Sequence, residues 1–166
     1  MIIYYAIAFA IFTGSVFSAV ISKNKRLNIF DILTLQFLVL IAGLRYDVGT
    51  DYLAYLSGFR NINSLEWSFF GEPAFRALNY LTKAFVPGPD YKIFIVIAAL
   101  TYIPIYLRIK SRNPRYFPVY LLFFILFGFY TMSFNVSRQW IAIALIFYGA
   151  DYLIRGKKGL FAYLSF

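Results

Sequence analysis

The sequence predicts an all-α fold: a polytopic transmembrane helical bundle with an external interfacial or re-entrant helix, truncated in a sixth span. Three observations lead there. Hydrophobic residues make up 61% of the chain and charged ones only 14%, against about 45–50% apolar and about 25% charged in a soluble domain. Apolar windows recur, most of them close to the roughly 20 residues that a bilayer helix needs. Basic clusters fall between them at alternate ends, the pattern by which membrane proteins orient. No linker, repeat or low-complexity stretch divides the chain, so residues 1–166 read as a single transmembrane domain.

The first window, "MIIYYAIAFAIFTGSVFSAVIS", lacks a basic leader and stays apolar for about 20 residues, which suits a spanning helix over 2–22 rather than a cleaved signal peptide. "SKNKRLN" follows, with Lys23, Lys25 and Arg26, and then a second span over 28–44. Residues 45–90 are mixed in charge and read as an external segment. Within it "NINSLEW" is a loop with Trp67 at the interface. "GEPAFRALNYLTKAFVPGP" is a short helix that starts at Pro73 and is ended by Pro87, Gly88 and Pro89. Phe75, Leu78, Leu81 and Phe85 form its apolar stripe, with Arg76, Asn79 and Lys83 on the other face. Its roughly 14 residues give about 21 Å, too short to span easily, and Arg76 and Lys83 oppose crossing. It therefore reads as interfacial or re-entrant. Further spans fall over 91–108, 116–133 and 136–154, separated by "RIKSRNPR" and closed by "IRGKKG". A last apolar run, Gly159 to Phe166, is too short to cross about 30 Å of hydrocarbon. The chain is accordingly expected to be the N-terminal portion of a longer protein.

Orientation follows from lysine and arginine. Placing Lys23, Lys25, Arg26, Arg108, Lys110, Arg112, Arg115, Arg155, Lys157 and Lys158 in the cytoplasm puts the N-terminus and residues 45–90 outside. The net charge of +9 then reflects topology, and a nucleic-acid partner is not expected. The absence of cysteine excludes disulfides and thiol chemistry, and the absence of histidine excludes histidine metal sites and triads from this chain. No metal-ligand spacing occurs, and no cofactor is expected.

Three polar clusters share the external side. The first is Arg45, Asp47 and Asp51, with Gly49 allowing a turn; a helix after Asp51 would put Tyr55 on the same face. The second is Glu72 and Arg76, four apart at the start of the short helix. The third is Asn135, Ser137, Arg138 and Gln139 at the outer end of the fifth span. Arg138 precedes an apolar run directly. A cation there usually faces the bundle interior and calls for an anion: Asp47, Asp51, Glu72 or a bound phosphate. Simpler uses stand beside these. Arg45 and Arg138 also suit snorkelling to headgroups, Asp51 suits a helix cap, and Glu72 with Arg76 suits a surface pair.

"RYDVGTDYLAY" (45–55), "EPAFRALNYL" (72–81) and "FNVSRQWIAIALIFYGADYLI" (134–154), in that order, resemble the EpsG family, bacterial polysaccharide polymerases of the Wzy type. The matching positions are Arg45, Gly49, Asp51, Tyr52, Tyr55, Glu72, Asn135, Arg138 and Gln139. Such proteins are usually longer, with more spans. The resemblance implies a multi-pass protein of the bacterial cytoplasmic membrane that joins oligosaccharide repeat units of an exopolysaccharide, capsule or O-antigen. The units are carried on undecaprenyl pyrophosphate at the outer face, and membrane lipids and other polysaccharide assembly proteins are the further partners. On that reading Arg138 and Arg45 stabilise the departing pyrophosphate. Asp51 or Glu72 takes the acceptor proton. Tyr52, Tyr55, Arg76, Asn135 and Gln139 bind substrate. The alternatives are a transporter of lipid-linked sugars and a non-catalytic membrane assembly subunit.

Overall fold

A computed structural model describes residues 9, 12–14, 16, 29–62, 72–112, 116–154 and 156. The expected first span, the "NINSLEW" loop with Trp67 and the partial span from Gly159 lie outside these residues or nearly so. The regular elements among the described residues are all helices, without strands. In chain order the helices are α1 (Ile29–Gly43), α2 (Tyr52–Asn61), α3 (Pro73–Phe85), α4 (Lys92–Arg112), α5 (Phe117–Leu126), α6 (Phe129–Met132) and α7 (Ser137–Ile154).

α4 is the axis of the bundle, with α1 and α7 packed along it. Its buried positions, Phe94, Ile97, Ala98, Thr101, Tyr102 and Tyr106, follow helical spacing. Small residues allow close approach. A Cβ on Gly43 would lie 2.7 Å from the Ile95 backbone, so glycine there lets the end of α1 touch α4. One core cluster joins Leu38 and Ala42 of α1 to Tyr102 and Tyr106 of α4, Leu121 and Ile125 of α5, and Tyr130 and Phe134. A second joins Tyr52, Tyr55 and Phe59 of α2 to Ile93, Phe94 and Ile97.

Polar contacts fix the directions of the helices. Lys110 near the end of α4 pairs with Asp31 near the start of α1, both almost fully buried, so these helices run antiparallel. Tyr130 donates to the Leu38 carbonyl at 3.0 Å, and the phenol of Tyr102 meets the Ser133 hydroxyl at 2.6 Å. α5 therefore starts at the Lys110 end, where Phe117 packs edge-on to Tyr106, and α6 finishes at the opposite end. That opposite end gathers the end of α1, the start of α4, the start of α7, and α2.

Of the expected spans, α4 alone among the described residues is both long and apolar enough to cross a membrane, with 21 residues; α1 and α5 are shorter apolar helices. The expected continuous span over 116–133 is two helical pieces. Gly128 adopts φ +74 between them, and the chain turns through 133–136 before α7. The backbone N–H of Gly128 bonds to the Ile125 carbonyl and that of Phe127 to Phe123, closing α5 in the manner of a glycine C-cap. The short helix of the segment expected to be external begins at Pro73 and ends at Phe85, where the Val86 N–H still reaches the Thr82 carbonyl. Its buried residues are Asn79 and Thr82, on the polar side, while Leu81 and Phe85 of the apolar stripe are 50% and 78% exposed.

Candidate functional site

The segment 45–51 leaves α1 and lies down on the turn before α7. Arg45 is buried, with 6% of its surface exposed. Its guanidinium sits between the Phe94 and Phe134 rings, 4.9 and 4.8 Å from their centroids, and donates to the Ser137 hydroxyl at 3.3 Å. Ser137 in turn donates to the Ser133 carbonyl at 3.0 Å. Burial pulls the Arg45 pKa below its ordinary value, yet a guanidinium keeps its proton in proteins. A desolvated cation between two ring faces is held by their quadrupoles, at about 2 kcal/mol or more for such contacts. Farther along, the Thr50 N–H donates to Asn135 Oδ1 at 3.0 Å. Gly49, at φ +102, packs so tightly there that a Cβ would lie 2.6 Å from Asn135 Oδ1. Arg45, Gly49 and Thr50 thus dock the segment onto Phe134, Asn135 and Ser137.

This docking places Asp51 at the head of α2. Asp51 makes no side-chain cap to the helix; its carboxylate accepts from the Thr50 hydroxyl at 3.2 Å. Tyr55, one turn on, lies on the same face and packs edge-on to Phe75 of α3 at 5.6 Å. Tyr52 turns inward and stacks on Phe94 at 4.6 Å. α3 is pinned to α2 by Lys83, whose ammonium donates to the Arg60 and Ile62 carbonyls, each at 2.8 Å.

Between α2, α3 and the start of α7 is a cavity of about 770 Å³. Asp51, Ala54, Tyr55, Gly58, Asn61 and Ile62 line it from the α2 side, Glu72, Phe75, Arg76 and Asn79 from α3, and Arg138 from α7. Glu72 and Arg138 form an ion pair, their side chains 56% and 47% exposed. The Arg138 guanidinium lies 5.6 Å from the Tyr55 ring centroid and 5.7 Å from that of Phe75. Helical spacing also allows Glu72 to pair with Arg76; the structure pairs it with Arg138 instead, and Arg76 is a second, half-buried cation of the cavity.

Of the candidate residues in the sequence, Asp51, Tyr55, Glu72, Arg76 and Arg138 share this cavity. Arg45 and Tyr52 do not line it; they are packed behind it. Asn135 lines a separate cavity of about 530 Å³ with Asp47, Gly49, Thr50 and Thr131, on the other side of the docked segment. Gln139 is exposed on α7, outside both cavities. Asn79 is not among the candidates from sequence, although Glu72, Arg76 and Asn79 fall at i, i+4 and i+7 and so belong to one helix face.

The model of the EpsG family matches residues 28–166. The chain belongs to the EpsG family. Membership of the EpsG family points to a polysaccharide polymerase-related role and to association with a membrane, in keeping with the long apolar helix α4. The match spans every candidate residue from Arg45 to Gln139 and the helices α1 to α7. Neither curated proteins nor solved structures give a match.

Proposed function

We propose that this EpsG-family protein is a polysaccharide polymerase, a glycosyltransferase that acts in the cavity between α2, α3 and α7 on undecaprenyl-pyrophosphate-linked oligosaccharide repeat units. The reading rests on one observation: Asp51, Glu72, Arg76 and Arg138, from three distant stretches of sequence, line a single cavity. In the reaction, a sugar hydroxyl oxygen of one unit bonds to the anomeric carbon of the other. The bond from that carbon to the pyrophosphate oxygen breaks, and its electron pair leaves with the lipid pyrophosphate. The hydroxyl proton passes to a carboxylate.

The residues divide accordingly. Arg138 and Arg76 are the cations that face a departing pyrophosphate, and a guanidinium fork suits phosphate oxygens. Glu72 holds Arg138 in the free protein, and an incoming pyrophosphate, with its higher charge, competes for the same fork. Asp51 is the base: it has no guanidinium partner among the described residues and is not spent on capping α2. Arg45 holds the Asp51 segment in place from behind. The protein is multi-pass in the bacterial cytoplasmic membrane, with the cavity end outside. The exposed Leu81 and Phe85 of α3 support an interfacial helix that dips its apolar edge into lipid beside the cavity mouth, where a polyprenyl carrier enters.

Polymer produced by cells that express Asp51→Ala or Arg138→Ala tests this. Loss of polymer with normal amounts of protein in the membrane is expected. Full polymer in both variants contradicts it, and movement of lipid-linked sugar across the membrane without new glycosidic bonds favours a transporter.

A further inference from the structure

Asn79 is a polar side chain with nowhere to go. Only 5% of its surface is exposed, and its amide Oδ1 is buried without a hydrogen-bond partner. Buried polar groups are nearly always paired, and an unpaired one is costly enough to need an explanation. Asn79 also lines the cavity. It lies on the same stripe of α3 as Glu72 and Arg76, seven residues from Glu72, which is about 10 Å along the helix axis.

We propose that Asn79 is a sugar-recognition residue: a turn of its side chain brings the amide oxygen, closed off in the free protein, into the cavity, where it accepts a hydrogen bond from a hydroxyl or acetamido N–H on the sugar that follows the pyrophosphate. This deepens the polymerase reading and rests on it. The chemistry of the orphaned atom selects the ligand group. Oδ1 is an acceptor, so the ligand must bring a donor. Phosphate oxygens are themselves acceptors, and polyprenyl chains have nothing to give. A sugar has donors around its ring. Along α3 the cavity therefore runs from the Glu72–Arg138 pair, through Arg76, to a neutral amide at Asn79 one turn beyond Arg76 and about two turns from Glu72. Phe75, which the sequence pattern puts on the apolar stripe, also lines the cavity, beside Tyr55, and offers apolar contact to a ring of carbohydrate C–H groups.

The test compares two probes on the purified protein in lipid nanodiscs. One is the lipid-linked oligosaccharide extracted from cells that lack this protein, and the other is undecaprenyl pyrophosphate without sugar. Asn79→Leu replaces the amide by an apolar side chain of similar size and Asn79→Ser shortens it, while the melting temperature of each variant reports folding. Both variants are expected to bind the sugar-bearing probe about tenfold more weakly and the sugar-free probe as the wild type does, and Arg138→Ala is expected to lose both. Unchanged binding of the sugar-bearing probe by a folded Asn79 variant overturns the inference alone. Equal weakening for the two probes also overturns it, since the loss would then be one of cavity shape. Failure of the wild type to bind either probe overturns the polymerase reading and the inference with it.

Discussion

Gly49→Ala probes the docking of the 45–51 segment, on which the position of Asp51 depends. Two costs follow from the geometry. Gly49 has φ +102, a conformation that an alanine holds only under strain of about 1–3 kcal/mol. The new methyl would also lie 2.6 Å from Asn135 Oδ1 and 3.3 Å from the Phe134 carbonyl oxygen. Asn135 must move, and its hydrogen bond from Thr50 is lost, which adds about 0.5–1.5 kcal/mol. Together these come to about 3 kcal/mol, a fall in Tm of about 6–12 °C for a chain of this size. Gly88→Ala is the control. Gly88 has φ +119, but a methyl group there would meet nothing within 4 Å, so it bears the strain alone. Thermal unfolding and polymer yield are the assays. Gly49→Ala is expected to unfold at lower temperature than Gly88→Ala and to produce less polymer, because Asp51 follows the segment. Adding Asn135→Ala to Gly49→Ala should cost less than the two single effects combined, since they share one contact. If Gly49→Ala matches Gly88→Ala in both assays, the segment is not held where the structure has it.

Arg138→Ala separates stability from chemistry: its exposed pair with Glu72 is worth under about 1 kcal/mol, whereas loss of a cation at a developing charge should lower polymerisation about 10²–10³-fold. Unfolding and polymerisation assays on the same preparation check both. At the other end of the bundle, Lys110→Met removes one partner of the buried carboxylate of Asp31 and should lower stability in unfolding measurements by up to about 3–5 kcal/mol. The chain has no cysteine, so Ser57→Cys, on an exposed position of α2, should react with a membrane-impermeant maleimide added to intact cells, and Arg112→Cys only after the membrane is opened.

The sequence is legible where local chemistry decides structure. Pro73 and the Pro87–Gly88–Pro89 run bracket the short helix, and the structure begins and ends α3 beside them. The basic end of α4 and the polar start of α7 are equally plain. Gly128 is not, because an isolated glycine in an apolar run is compatible with an unbroken helix; only its positive φ in the folded chain reveals the break. The site is legible in part. That Asp51, Glu72 and Arg138 fall at one end of the bundle follows from topology, but which acid meets Arg138 does not. Asp47, Asp51 and Glu72 are equal candidates in one dimension, and the packing of α3 against α2 selects Glu72. Arg45 and Arg138 look alike in sequence, each a cation beside an apolar run. The structure separates them by burial, one between two phenylalanine rings and one at a cavity mouth. The spacing of Asn79 from Glu72 and Arg76 puts it on their face, but its burial is not legible, because an asparagine on the polar face of a short helix ordinarily meets water.

The most direct measurement of the central claim is polymerisation by the protein in liposomes, supplied with lipid-linked repeat units and followed by the length of the glycan chains. Wild-type protein is expected to extend the chains and release undecaprenyl pyrophosphate, while Asp51→Asn and Arg138→Ala, folded and inserted, extend them at least about a hundredfold more slowly. Extension by both variants at the wild-type rate would contradict the assignment of the chemistry to this cavity.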